Sequence, residues 1–304
     1  MPTWDDILKE IGSQPNVFDY IRRKYIKELS VKTGRNVIVY YSGWLQKSNL
    51  QQYGFRFDIV DTDKMGFMST INGLDKSKGL DLILHTPGGS IGATESIVHY
   101  LKSIFGNDIR AIVPQIAMSA GTMIACSCQS IIMGKHSNLG PIDPQINGIP
   151  AHGIIEEFER AKKEVAENPK TIPVWQTILS RYSPTLIGEC EKAIKWSETM
   201  VTEWLKSNMF ANEVKENKEK TNIIISEIIK ELGSHALTLS HDRHIPIDIL
   251  KDKLKLKILP LESDNDLQDK VLSVHHACII SLTQTPAYKI IENQDGKAFI
   301  QLIK

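Results

Sequence analysis

Short apolar runs separated by helical patterns are the feature that most limits the folds open to this chain. The runs rich in β-branched residues are too short for helices and predict buried strands at 36–42, 80–86, 109–114 and 130–133. Helical patterns separate them, at 64–74, 91–105 and 120–128. Because strands that alternate with single helices form right-handed crossovers, the sequence predicts an α/β core around a mostly parallel sheet.

Helical patterns dominate the chain after the fourth strand, at 153–167, 173–188, 189–210 and 214–232. The remaining signals are amphipathic helices at 1–12 and 18–29, a strand at 256–259, a helix through His275 and His276, and a hairpin turn at 293–296. We therefore divide the chain into an N-terminal helical segment (1–34), an α/β core (35–145), a helical region that completes the fold (146–262), and a C-terminal helix and hairpin (263–304).

Charge and composition exclude several classes of protein. The chain has 36 Lys and Arg against 36 Asp and Glu, and this zero net charge argues against nucleic-acid binding by bulk charge. No stretch supplies the ~18–20 unbroken apolar residues of a membrane span, and the N-terminus does not resemble a signal peptide. The four cysteines lack paired spacing, which favours reduced thiols over disulfides or zinc. We expect a cytoplasmic protein.

Two segments that each follow a predicted strand contain residues suited to chemistry. In 85–91 (HTPGGSI), Gly88 and Gly89 allow a sharp turn whose consecutive N–H groups can hold an oxyanion or a phosphate. In 117–122 (AMSAGT), Ser119 stands where a helix N-terminus can stabilise negative charge near its oxygen. The ordinary interpretations are a strand-to-helix turn for the first segment and a helix-capping serine for the second.

A third segment, 138–145 (NLGPIDPQ), contributes a carboxylate, Asp143. Asp before Pro is a common turn former, but a carboxylate downstream of a serine could also orient a histidine. A serine hydroxyl is a poor nucleophile unless a base takes its proton, so a serine mechanism requires a His or Lys partner. The α/β-hydrolase fold is disfavoured, because Ala117 occupies the place of the first Gly in G-x-S-x-G.

In order and spacing the three segments together resemble the Clp protease and crotonase superfamily. Within it, HTPGG, AMSAGT, GPIDPQ and the string TGRNVIVYYSGWLQK at 33–47 are similar to the serine dehydrogenase proteinase (SDH) family. The resemblance spans roughly residues 22–259. It implies an α/β chain of Clp protease/crotonase-like fold, with a ββα-type spiral core of mostly parallel strands and an added helical region, and it implies a serine peptidase.

The resemblance also implies roles for individual residues. Ser119 matches the nucleophile, and Gly88 and Gly89 match the oxyanion-hole glycines. The N–H of Ala120 is a further expected donor. Asp143 falls close to the position where Clp peptidases carry their catalytic His, which is a departure from that pattern. SDH proteinases have a Ser, Asp, His triad in that chain order, so the base is expected after Asp143.

The identity of the base stays open at the level of sequence. The downstream histidines are His152, His235, His241, His244, His275 and His276. His241 and His244 are favoured, because their HDRH segment is positioned like a late turn of this family, although a solvated turn is the ordinary interpretation. Lys162 and Lys163 are rivals, since signal peptide peptidase A uses a Ser-Lys dyad, but the charged pattern around them favours an exposed helix face.

The sequence therefore predicts a serine endopeptidase that cleaves polypeptide through an acyl-enzyme, with no metal and no other cofactor. The alternative is a catalytically impaired Clp-fold module that binds peptides or supports assembly. Acyl-CoA chemistry of the crotonase type is disfavoured, because it would leave Ser119 without a use. Since Clp-fold proteins usually assemble as rings or stacked trimers, the resemblance also implies a homo-oligomer. We expect no nucleic-acid partner.

Overall fold

The buried apolar runs form the strands of a central sheet, as the sequence predicts. The computed structural model describes residues 17–233 and 240–303. Its strands are β1 (Asn36–Ser42), β2 (Leu80–His85), β3 (Ile109–Val113), β4 (Ile116–Ala117), β5 (Ser130–Met133), β6 (Asn138–Leu139), β7 (Gln145–Ile146), β8 (Ile149–Pro150), β9 (Ile245–Pro246), β10 (Ile258–Pro260), β11 (Ala287–Asn293) and β12 (Ala298–Leu302).

Within the described residues, the central sheet has seven strands in the order β10-β5-β3-β2-β1-β11-β12. The pairs from β10 to β1 are parallel, and β11 pairs antiparallel with β1 and β12. The prediction of an α/β fold with a mostly parallel sheet is confirmed. The predicted C-terminal hairpin exists, and it extends the central sheet through its pairing with β1.

Helices cover both faces of this sheet. They are α1 (Val17–Thr33), α2 (Asp63–Ile71), α3 (Ile91–Phe105), α4 (Ala120–Ser127), α5 (Ala151–Glu167), α6 (Ile172–Leu179), α7 (Leu186–Trp204), α8 (Ala211–Glu216), α9 (Lys218–Gly233) and α10 (Asn265–Gln284). Alternate residues of β1 serve the two faces: Val37, Val39 and Tyr41 pack with α1 and α10, whereas Ile38 and Tyr40 pack with α2, α3 and α4.

The helical region differs from the sequence prediction at its breaks. The helix predicted at 173–188 ends at Leu179, and α7 begins at Leu186 and passes into a π-helical turn, Leu205–Met209. The helix predicted at 214–232 is two helices, because Asn217 interrupts it and accepts a hydrogen bond from the Lys220 N–H at 3.0 Å. The helix predicted at 1–12 lies outside the described residues.

Two small sheets were missed at the sequence level. Strands β4, β6 and β9 form one, and β7 and β8 form a hairpin around Asn147 and Gly148. Both turn residues have positive φ, 52° and 80°, as an Asn-Gly turn requires. Two-residue strands are too short to produce an alternating pattern, so only the Asn-Gly pair could have signalled the hairpin.

Replacing a helical glycine by alanine is expected to change stability in opposite directions at Gly66, in α2, and at Gly188, in α7. A Cβ at Gly66 would lie 2.5 Å from Ile291 Cδ1 and 3.1 Å from Phe299 Cδ1, whereas a Cβ at Gly188 would meet no atom within 4 Å. We expect Gly66→Ala to lower the free energy of unfolding by about 1–3 kcal/mol through overpacking. Gly188→Ala should raise it by up to about 1 kcal/mol through helix propensity. Urea unfolding of both variants tests this, and equal midpoints would contradict it.

Candidate active site

The small sheet of β4, β6 and β9 brings three distant chain segments to one edge. β4 pairs in parallel with β6, and β6 pairs antiparallel with β9. Ser119 follows β4 by two residues, Asp143 follows β6 by four, and His241 precedes β9 by four. β9 runs antiparallel to β6 and therefore also to β4. The residue that precedes β9 consequently lies at the same end of the sheet as the residues that follow β4 and β6. Ser119, Asp143 and His241 therefore share one edge of this sheet.

Ser119 occupies a strained backbone position directly before α4. Its φ of 49° and ψ of −114° lie in a region that non-glycine residues rarely adopt, at a cost of about 1–3 kcal/mol. The hydroxyl makes no capping hydrogen bond to the helix, so it does not fill the ordinary role of a serine at this position. Its side chain is half-buried and lines a cleft. A strained backbone that carries a hydroxyl with no capping hydrogen bond, at a cleft, is typical of a functional site.

The glycine turn approaches Ser119 more closely than any side chain would permit. A Cβ at Gly88 would lie 2.6 Å from Ser119 Cβ and 3.2 Å from the backbone nitrogen of Ala120. A Cβ at Gly89 would lie 2.2 Å from the backbone nitrogen of Ile59 on the opposite side. The turn is thus fitted between the serine and the 58–60 segment, and both positions require glycine.

Hydrogen bonds distinguish the two glycine amides. The Gly88 N–H donates to Thr86 Oγ1 at 3.1 Å, so it is already engaged. The Ile59 N–H donates to the Gly88 carbonyl at 2.7 Å, and the Ser90 N–H donates to the Ile59 carbonyl at 2.9 Å. In this parallel bridge the intervening residue, Gly89, directs its own N–H away from Ile59. The first N–H of α4, that of Ala120, belongs to the helix end whose donors lack intrahelical partners.

Asp143 and His241 form a hydrogen-bonded pair beside this turn. The distance between His241 Nδ1 and Asp143 Oδ1 is 2.8 Å, with Asp143 fully buried and the His241 side chain 17% exposed. Since a carboxylate only accepts, Nδ1 carries the hydrogen, and the second ring nitrogen, Nε2, is the acceptor. The pair therefore presents an oriented imidazole to the cleft.

The helical region fixes the position of Asp143. The preceding residue, Ile142, donates its N–H to the Leu232 carbonyl at 2.8 Å and accepts a hydrogen bond from Ser197 Oγ at 3.1 Å. Leu232 belongs to α9 and Ser197 to α7. The carboxylate is consequently held by two helices that lie well beyond it in the sequence.

The other predicted bases lie elsewhere. His244 is exposed and lines a separate pocket of about 90 Å³ together with Ile245. The Lys162 side chain is 71% exposed and pairs with Glu159 at 2.6 Å, and Lys163 is exposed on the same helix. None of the three is among the residues that line the cleft in front of Ser119. His235 lies outside the described residues.

The cleft in front of Ser119 has a volume of about 780 Å³. Its floor and walls combine the glycine turn and His241 with apolar side chains, among them Phe55, Phe57, Ile91, Met123, Ile142 and Trp196. Polar side chains, among them Gln51, Arg56, Asp58 and Gln145, line it as well. A cleft that combines apolar surface with convergent polar groups is typical of a substrate site.

The chain matches a family of known proteins. A family model of ClpP-like SDH-type serine proteinases matches residues 13–272. The chain belongs to this family. Two uncharacterized proteins of Methanocaldococcus jannaschii are similar to it: one is 31% identical over 252 residues, covering 82% of this chain and 74% of the relative. The other is 29% identical over 234 residues, covering 75% and 73%. The resemblance to SDH proteinases drawn from the sequence is confirmed.

Residues 17–233 and 240–303 of this SDH-type proteinase lack both a metal-binding cluster and a helix suited to crossing a membrane. No group of three or more His, Cys, Asp or Glu side chains in that part of the chain could hold a metal ion. None of its helices has the combination of length and hydropathy that crossing a bilayer requires.

Aromatic and imidazole rings pack together around His85, three residues before the glycine turn of the SDH-type proteinase, with Tyr41, His85 and His275 buried and Trp44 half-buried. The His85 ring, at the end of β2, has its centroid 4.5 Å from that of Trp44, 5.3 Å from that of Tyr41 and 5.4 Å from that of His275. Burial lowers the pKa of His85 to about 3. The imidazole is therefore neutral at ordinary pH, and it packs against these three rings.

The buried His85 predicts a loss of stability in acid. The folded state disfavours its proton and the unfolded chain binds it near pH 6.5, so stability is lost as the pH falls from 6.5 towards 3. Between pH 7 and pH 4 this contribution is about 3 kcal/mol. We expect His85→Phe to flatten the pH dependence of the free energy of unfolding by that amount, and Trp44→Phe to retain the wild-type slope. Urea unfolding across this range measures both, and identical slopes for His85→Phe and wild type would contradict the prediction.

Proposed function

We propose that this SDH-type proteinase hydrolyses polypeptides through an acyl-enzyme, with Ser119 as nucleophile, His241 as general base and Asp143 as its orienting carboxylate. The observation that carries the proposal is the convergence of the three at one edge of the small sheet, with the His241 imidazole bonded to Asp143. Their chain order, Ser, Asp, His, is the order implied by the family resemblance.

In this mechanism His241 Nε2 takes the proton of Ser119 as the hydroxyl oxygen attacks the peptide carbonyl carbon. The resulting tetrahedral intermediate collapses when the C–N bond breaks and the leaving amine receives the proton from His241. Water, deprotonated by the same imidazole, then attacks the carbonyl carbon of the Ser119 ester. The bond from that carbon to Ser119 Oγ breaks, and His241 returns the proton to Oγ. Asp143 keeps the imidazole in the tautomer that exposes Nε2 and stabilises its cationic form.

We assign the oxyanion hole to the N–H groups of Gly89 and Ala120. Gly88 is excluded as a direct donor, because its N–H is engaged by Thr86 Oγ1, and its role is to let the turn reach Ser119. Loss of one oxyanion donor typically costs ~100–1000-fold in rate. The family resemblance implied that both Gly88 and Gly89 belong to the oxyanion hole, whereas this assignment keeps only the Gly89 N–H as a donor.

The cleft lining, the cysteines and the family each bear on the substrate and the surroundings of the proposed reaction. The apolar side chains of Met123, Ile142 and Trp196 in the cleft would accept an apolar substrate side chain beside the scissile bond. All four cysteines are free and buried, which supports a location in the reducing cytoplasm. A homo-oligomer remains the expectation from the Clp-like family.

Labelling by a fluorophosphonate probe tests the nucleophile. We expect the wild-type chain to be labelled at Ser119 and to digest casein, and Ser119→Ala to lose both activities because the substitution removes the attacking oxygen. The matched control is Ser103→Ala, an exposed serine whose hydroxyl bonds only within its own helix, to the Tyr100 carbonyl. Labelling of a different residue, or casein digestion that survives Ser119→Ala, would contradict the proposal. Peptide binding without turnover would favour the impaired-module alternative.

The orienting carboxylate has its own test. Asp143→Asn keeps the size of the side chain but favours the wrong imidazole tautomer, so we expect kcat for a peptide substrate to fall by about 1,000–10,000-fold with little change in KM. His241→Gln should produce a loss of similar size, whereas His244→Gln should retain wild-type kcat. If His244→Gln abolished turnover and His241→Gln did not, the assignment of the base would be wrong.

A further inference from the structure

A lysine and an aspartate are buried together beneath the segment that supports the glycine turn. Lys289 belongs to β11 and Asp63 is the first residue of α2. Both side chains are 0% exposed, and Lys289 Nζ lies 3.0 Å from each carboxylate oxygen of Asp63. Burying an ion pair carries a desolvation cost that an apolar pair of similar size would avoid. The pair therefore calls for an explanation beyond the packing of the core.

The remaining hydrogen bonds of the pair converge on the backbone of residues 58–60. Lys289 Nζ donates to the Asp58 carbonyl at 2.8 Å, and the Val60 N–H donates to Asp63 Oδ2 at 3.0 Å. The Tyr40 hydroxyl completes the carboxylate's shell at 2.8 Å. Burial and the neighbouring Asp63 carboxylate raise the pKa of Tyr40 well above its usual value, so this hydroxyl remains a donor. The residues on either side of Ile59 are thus fixed by opposite charges.

Ile59 is in turn the backbone partner of the glycine turn. Its N–H bonds to the Gly88 carbonyl at 2.7 Å, and its carbonyl accepts the Ser90 N–H at 2.9 Å. The contact is an isolated bridge rather than part of a longer ladder, so neighbouring pairs do not reinforce it. A Cβ at Gly89 would lie within 2.2–2.7 Å of the Ile59 backbone, which leaves no slack between them. A shift of Ile59 would therefore move the Gly89 amide.

We infer that Lys289 and Asp63 are positioning residues for the oxyanion hole: by holding the Asp58 carbonyl and the Val60 N–H, they set Ile59 and through it the Gly89 N–H. This inference rests on the proposed peptidase function. A 1 Å misplacement of a catalytic group can cost about 100-fold in rate. The buried pair can therefore affect turnover although it acts on the substrate only through Ile59 and the Gly89 N–H. The effect should appear in kcat, because the tetrahedral intermediate uses the amide more than the bound substrate does.

The decisive variant removes both charges together. Lys289→Met alone leaves a buried carboxylate without its counter-charge, and we expect it to unfold at a lower urea concentration. Lys289→Met combined with Asp63→Asn removes both charges of the pair, keeps the side-chain volumes and retains an acceptor for the Val60 N–H. This double variant should therefore regain most of the wild-type urea midpoint, but it still lacks the donor to the Asp58 carbonyl.

Two readouts on the full chain separate a positioning role from a structural one. We expect the double variant to show kcat for a fluorogenic peptide reduced by about 10–100-fold with KM within about twofold. Amide hydrogen exchange of the peptide covering 86–91 should also be faster, because the Ser90 N–H is held less firmly. The matched control is Lys270→Met, which removes another lysine paired with a distant carboxylate, Glu28 at 2.7 Å, and should leave both readouts unchanged.

Each outcome bears on one hypothesis. Wild-type kcat and wild-type exchange in the double variant would overturn the inference, as would a rise in KM at constant kcat. A wild-type chain that is neither labelled at Ser119 nor active on peptides would reject the proposed function instead. In that case the exchange of 86–91 still decides whether the buried pair holds the turn, since it requires no substrate.

Discussion

The contact between Gly88 and Ser119 is the constraint on which the site depends. The turn after β2 and the serine before α4 approach so closely that no Cβ fits between them. The same two segments are joined by a parallel bridge from Thr86 to Ala117, and a Cβ at Gly121 would lie 2.5 Å from Thr86 Cγ2. The turn and the serine therefore move as one unit. Their relative position is fixed by this bridge and by the glycine contacts.

The strain at Ser119 is offset by the burial of the helix that follows it. All residues of α4 are buried, so the helix cannot shift to relax the strained φ without opening the core. Thr122 ties this helix to the next loop, because its Oγ1 accepts the Gly140 N–H at 3.0 Å and lies 2.9 Å from the Ala117 carbonyl. A backbone strain of about 1–3 kcal/mol persists where the surroundings leave no alternative. The hydroxyl is thereby kept at the cleft.

Local patterns predicted the elements, whereas the site needed information that no local pattern carries. The strands 36–42 and 130–133 and the helix 91–105 match the structure at both ends, because each is a continuous apolar or amphipathic run. The choice between His241 and His244 depends on β4, β6 and β9, which are two residues long and show no periodicity. Lys289 and Asp63 are separated by 226 residues, and nothing near either one signals the other.

Segments beyond the α/β core complete the site from two directions. The helical region fixes Asp143 through the hydrogen bonds of Ile142, and the C-terminal hairpin reaches the glycine turn through Lys289. The match to SDH-type serine proteinases covers residues 13–272, so it includes the serine, the aspartate, the histidine and the turn but ends before β11. The groups that we propose to react therefore all lie within the matched range. The buried ammonium group of Lys289 lies outside that range. We attribute it to this chain's own structure, in which it bonds to the Asp63 carboxylate and to the Asp58 carbonyl next to the partner of the turn.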